Sequence, residues 1–130
     1  MTAAGHLPPD SIERIILLAP AVSASYDLRP ALRTARQGID VFSNKRDCIY
    51  LGWGTRLLGT TDGSREVAAG RYGFRPVVEQ PADAVLYTKL RDHPWDPSQA
   101  WTGHHGEHSG VEAPGFIRAF VLPLLLPTHL

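Results

Sequence analysis

The stretch Ser11-Ile12-Glu13-Arg14-Ile15-Ile16-Leu17-Leu18-Ala19, residues 11–19, decides the fold class of this chain. Ile15 to Leu18 are consecutive, apolar and half β-branched, the pattern of a strand covered on both faces rather than wet on one. Pro20 ends the run because it has no N–H to give to a ladder. Beyond it, Asp27 is placed to cap a helix from Leu28 to Gln37, with Ala31, Leu32 and Ala35 on one face and Gly38 at its end. Ile39-Asp40-Val41-Phe42-Ser43 then reads as a second short strand, followed by the polar turn Asn44-Lys45-Arg46-Asp47. Strand, helix and strand at this length imply a right-handed parallel crossover, so the sheet is expected to be α/β.

Further along, glycines interrupt every period between Gly52 and Gly73, and the reading is a short helix near Tyr50 to Leu58 followed by loops to Pro81. Ala82 to Leu90 carries apolar residues near helical spacing, while Val85-Leu86-Tyr87 reads equally as an edge strand. A strand before the histidine-rich segment is expected near Val85 to Arg91. Pro114 opens a last helix in which Phe116, Ile117, Phe120, Val121, Leu124 and Leu125 share one apolar face. No repeat, heptad or low-complexity linker divides the chain, so residues 1–130 are read as one unit of three or four mostly parallel strands.

Composition narrows the function classes. Thirteen basic and thirteen acidic residues leave no net charge to draw the molecule to nucleic acid or to an anionic membrane. No apolar run approaches the roughly 20 residues of a membrane span, and Leu122 to Leu126 is broken by Pro123. Cys48 is the single cysteine, which excludes an intramolecular disulfide and suits a reducing compartment, so a cytoplasmic location is expected. Residues 14–25 loosely resemble a signal peptide, but Asp10 and Glu13 put acid where such a peptide is basic.

Chemistry is expected where parallel strands end, because loops converge there above the sheet. Asp47 follows the second strand, where a carboxylate either orients an imidazole or caps the next turn. The densest segment is Trp101-Thr102-Gly103-His104-His105-Gly106-Glu107-His108-Ser109-Gly110, with three histidines in five positions and glycines that let the backbone turn tightly. A loop of this kind suits delivery of a general base. Tyr87, Trp53, Trp95 and Trp101 either line a pocket or belong to the core.

These features together resemble the α/β-hydrolase family. Ile12 to Ser23 is similar to the strand after the nucleophile, Gly38 to Asp47 to the strand and loop that bear the acid, and the glycine-rich loop with His108, an acidic residue and Pro114 to the histidine loop and closing helix. The order acid then histidine is that of the family. The resemblance implies Asp47 and His108 as catalytic residues, with His104 and His105 as alternates, a small-molecule ester or amide as substrate, and neither cofactor nor metal. The family's G-x-S-x-G is missing: none of the seven serines has glycine two residues before and two after. The expectation is therefore a C-terminal hydrolase segment without its nucleophile, inactive alone. Cys48 lacks the flanking glycines of an elbow and is not expected to replace the serine.

Two other classes compete with that reading. His104, His105 and His108 have spacings of a helical zinc site, which Gly106 opposes and no H-E-x-x-H supports. A non-catalytic structural or interaction fragment also accounts for the missing elbow. If Ile12 to Ala19 lacks an upstream neighbour, its open edge favours self-association, with Thr2 to Asp10 as the segment available to shield it.

Overall fold

The computed structural model describes residues 1–46 and 69–126. The reading of a short helix over Tyr50 to Leu58, and the residues Asp47, Cys48 and Trp53, lie outside the described residues.

Strand β1 (Ile15–Leu18), helix α1 (Arg29–Thr34) and strand β2 (Ile39–Ser43) form the expected strand–helix–strand unit. Helices α2 (Ala69–Tyr72) and α3 (Pro81–Tyr87) precede strand β3 (Leu90–Pro94). The sheet has the order β1-β2-β3 and every pairing is parallel, with Ile15 opposite Ile39 and Ile39 opposite Leu90. The chain is thus of mixed α/β class, with a small open parallel sheet. No helix among the described residues is long and apolar enough to cross a membrane.

Sequence chemistry accounts for the boundaries. Only Ile15–Leu18 is strand, while Ile12 makes an isolated parallel bridge to Ala35. The Asp27 carboxylate accepts the Arg29 N–H at 3.0 Å and so starts α1, which stops at Thr34 because Ala35 turns extended to meet Ile12. Gly38 has φ +93°, and a Cβ there would lie 2.0 Å from the Lys89 carbonyl, so this position both needs the left-handed backbone and admits no side chain. Of the two readings of Val85 to Tyr87 the helical one is realised: Pro81 sits in the first turn of α3, and one Asp83 oxygen accepts the N–H groups of Glu79 and Gln80 at 3.0 Å each. The third strand accordingly lies at Leu90–Pro94, later than the expected Val85 to Arg91.

Alternation along the strands divides two apolar layers. On one face Ile39 and Val41 bury against Leu28, Ala31 and Leu32 of α1 and Tyr87 of α3, with Ile15, Leu17 and Leu90 beside them. Full burial of each such aliphatic side chain contributes about 1.5–3 kcal/mol. On the other face Phe42, with Ile16 and Leu18, packs against Phe116, Val121, Phe120 and Leu124. This C-terminal run comprises α4 (Pro114–Phe116), a π-helical turn (Ile117–Val121) and α5 (Leu122–Leu125). The π-turn comes just before Pro123, which cannot donate to the carbonyl four residues back, and it re-spaces the apolar face. Leu125, expected on that face, is 59% exposed as a result.

The N-terminal residues lie against α1 rather than along β1. A 3-10 turn at Ala4–His6 accepts the Thr34 hydroxyl at the Ala4 carbonyl, 2.8 Å, and the Asp10 N–H reaches the Arg33 carbonyl at 3.0 Å. Shielding of the β1 edge by Thr2 to Asp10 is therefore not what these residues do.

Candidate functional site

All three strands end at the same side of the sheet, so the loops after Leu18, Ser43 and Pro94 gather there. Backbone bonds tie them together: Trp95 N–H to the Ser43 carbonyl at 2.7 Å, Asn44 N–H to Gly70 at 2.8 Å, and Gly70 N–H to Pro20 at 2.7 Å. The Ser43 hydroxyl donates to Asp92 Oδ1 at 2.9 Å. Buried Asn44 donates from Nδ2 to the Gly106 carbonyl at 2.7 Å and accepts the Arg46 N–H at Oδ1, 3.0 Å. The Arg46 guanidinium lies over the Trp95 ring, 5.1 Å from its centroid. A Cβ at Gly106 would approach Arg46 and Trp95 to 3.2 Å, and φ there is +92°, so glycine is required for the two loops to meet.

The three loop histidines have different environments. A 3-10 helix over Pro97–Thr102 ends at Gly103, whose φ of +91° turns the chain inward to His104. His104 is fully buried, edge-on to Phe116 with ring centroids 4.9 Å apart and tilted against Trp95 at 5.5 Å. Its Nδ1 accepts the Gly106 N–H at 3.2 Å, and a Cβ on Gly110 would lie 1.9 Å from that nitrogen. Burial pushes the His104 pKa down, against the charge of Glu107, so the ring is neutral at pH 7. With Nδ1 accepting, its proton belongs on Nε2, which is buried with no hydrogen-bond partner among the described residues. The outer nitrogen of His104 is a donor, the wrong polarity for a base.

His105 is exposed, and its backbone N–H donates to Glu107 Oε2 at 3.0 Å. His108 is half-buried and opens a 3-10 helix over His108–Glu112. Among the described residues no group of three or more His, Cys, Asp or Glu is placed to hold a metal ion. Tyr87 belongs to the opposite, α1-facing layer, where its hydroxyl accepts the Leu28 N–H at 3.3 Å; it is a core residue and lines no pocket with the histidines. Trp101 is 75% exposed in the 3-10 helix before the loop.

One carboxylate–imidazole pair escaped the sequence reading. Fully buried Asp40 accepts His93 Nε2 at 2.7 Å and Arg91 Nε at 2.9 Å on Oδ1, and Arg91 Nη2 at 2.9 Å and Arg14 Nη1 at 2.5 Å on Oδ2. His93 also stacks on Phe42, centroids 4.8 Å apart. Burial alone would raise the Asp40 pKa, but the bonds from Arg91, His93 and Arg14 outweigh it and hold the carboxyl well below its ordinary range. The signal was present in the sequence: a lone aspartate in an apolar strand needs buried cationic partners. Asp40 stands three residues before the end of β2, about 10 Å below the loops. With both oxygens occupied, it ties the three strands together and has no acceptor left for a substrate.

The chain matches no protein-family model, no curated protein and no solved structure.

Proposed function

We propose that this chain is the acid-and-histidine portion of an α/β-hydrolase-like serine hydrolase acting on ester or amide bonds. The observation that carries the reading is the junction of Asn44 and Arg46 with Gly106, which joins the start of the acid loop to the histidine loop at the C-terminal edge of the sheet. Parallel sheet order, α1 and α3 on one face and the closing helical run on the other support it.

In this reading Asp47 accepts the Nδ1 proton of His108 and fixes its tautomer. His108 Nε2 takes the proton of a serine hydroxyl as that oxygen bonds to the substrate carbonyl carbon, then returns it to the departing alcohol or amine as the tetrahedral intermediate collapses. The serine comes from a segment outside these 130 residues, since no G-x-S-x-G occurs in them. The chain by itself turns over no activated ester above the background of free imidazole. His105, exposed and adjacent to the junction, is the alternate base; His104 is not, because its outer nitrogen is protonated.

Nitrogen-edited NMR of the imidazoles tests the assignment. A hydrogen-bonded Nδ1 proton on His108 that disappears in Asp47→Asn is the expected result. If no imidazole responds to Asp47→Asn, Asp47 is a turn residue and the reading fails. A non-catalytic module is the second reading, favoured by the full burial of His104 against Phe116 and Trp95.

A further inference from the structure

The two edges of the sheet are chemically unlike. Ile15 N–H bonds to Gly38 and Ala19 N–H to Phe42, so by the alternation of a parallel ladder the N–H and C=O groups of Ile16 and Leu18 point away from β2. Nothing pairs with them among the described residues. β1 carries no charge, proline or bulge to protect that edge. By contrast, β3 turns the backbone groups of Asp92 and Pro94 outward, where Pro94 has no N–H to offer a further strand and the exposed Asp92 adds a charge beside the edge.

We propose that β1 pairs antiparallel with β1 of a second copy across a two-fold axis at Leu17, giving a continuous six-stranded sheet. Centred there, Ile16 of each copy faces Leu18 of the other, and the four open N–H groups meet the four open C=O groups in an antiparallel ladder. Both faces receive apolar cross-strand pairs, and the charged Arg14 of one copy stands opposite uncharged Pro20 of the other, so no like charges meet. Growth into a filament would require β1 to join β3 of the next copy, which Asp92 and Pro94 oppose; the self-complementary edge therefore closes as a dimer. Ala19, with φ +44°, turns the chain away and limits the ladder to four residues per copy. So short a ladder buries less than the ~1,200–2,000 Å² of a standard interface. Exposed Leu125 and Leu126, which border a groove with Glu13 and Arg14 at the start of β1, add apolar area beside it. The expected dissociation constant is on the order of micromolar or weaker. In the hydrolase reading the strand that carries the serine would pair with this same edge, so the dimer is proposed for the 130-residue chain by itself; a monomer would overturn the dimer and leave the Asp47–His108 assignment to its own test.

Sedimentation equilibrium of the 130-residue chain up to about 1 mM decides it. The expected mass rises from 14.3 kDa toward twice that value with concentration. Ile16→Pro removes an N–H that points outward and so spares the β1–β2 ladder; it should leave a folded monomer, checked by circular dichroism. Leu17→Cys, in a Cys48→Ser background, covers the case in which Ile16→Pro unfolds, because Cα atoms of a non-hydrogen-bonded pair about 4.5 Å apart allow an intermolecular disulfide. A single 14.3 kDa species at every concentration with no crosslink from Leu17→Cys, or open-ended polymers in place of a dimer, overturns the proposal.

Discussion

Replacing Asp40 by alanine takes away the acceptor shared by Arg14, Arg91 and His93 and leaves two guanidinium groups facing each other across an apolar sheet. Breaking a buried ion pair on one side costs about 3–5 kcal/mol. Arg91 is 40% exposed and recovers hydration, whereas Arg14 is only 16% exposed and cannot, which places the loss near the lower end, about 3 kcal/mol. For a domain of this size that is a fall of roughly 10 °C in Tm. The same bonds set a pH dependence. Because the folded-state pKa of Asp40 lies below its ordinary 3.8, its contribution is complete above about pH 4 and is lost as the pH falls further. Urea titrations of wild type and Asp40→Ala at pH 7 should therefore differ most, and the gap should narrow as acid is added below pH 4. A difference under about 1 kcal/mol at neutral pH, within the scale of an exposed ion pair, would show that Asp40 does not hold the strands together.

Gly110→Ala drives a methyl group into the His104 ring and should cost about 2–3 kcal/mol, read from the urea midpoint; an unchanged midpoint would mean that His104 is not packed as described. Asn44→Ala removes the bond to Gly106 and should cost about 1–2 kcal/mol while speeding amide exchange at Gly106 and its neighbours in the histidine loop; exchange confined to residues 44–46 would show the two loops to be independent.

Strand β2 was legible to the residue, since Gly38 and the polar turn after Ser43 bracket an apolar run that tertiary contacts only confirm. β1 was legible as a strand but not in length, because the geometry at Ile12 and Glu13 is set by backbone bonds that their carbonyls accept from Arg36 and Gln37, which no local pattern announces. β3 was misplaced for a physical reason: as an outer strand with Arg91, Asp92 and His93 it carries little apolar signal, while the neighbouring Val85-Leu86-Tyr87 carries more. At the candidate site the glycines told most. Gly103 and Gly106 do take positive φ, as the tight turning of the loop implied. That His104 is the buried histidine depends on Gly110 and Phe116, which lie later in the chain and meet it only in the folded state.

The pairing order of the sheet also ranks its contacts by the length of chain they close. β1 and β2 are joined by one short helix, with positions 15 and 39 opposite each other, whereas β2 and β3 bring together positions 39 and 90. Closing the second, roughly twice as long, loop costs only about 0.6 kcal/mol more entropy, yet nothing favourable is gained until it is closed. With β1 and β2 side by side and β3 undocked, Asp40 would have only Arg14 of its three cationic partners, since Arg91 and His93 both belong to β3. β3 thus carries two of the three side chains that the buried carboxylate of the middle strand requires, so the sheet is electrostatically complete only with all three strands in place.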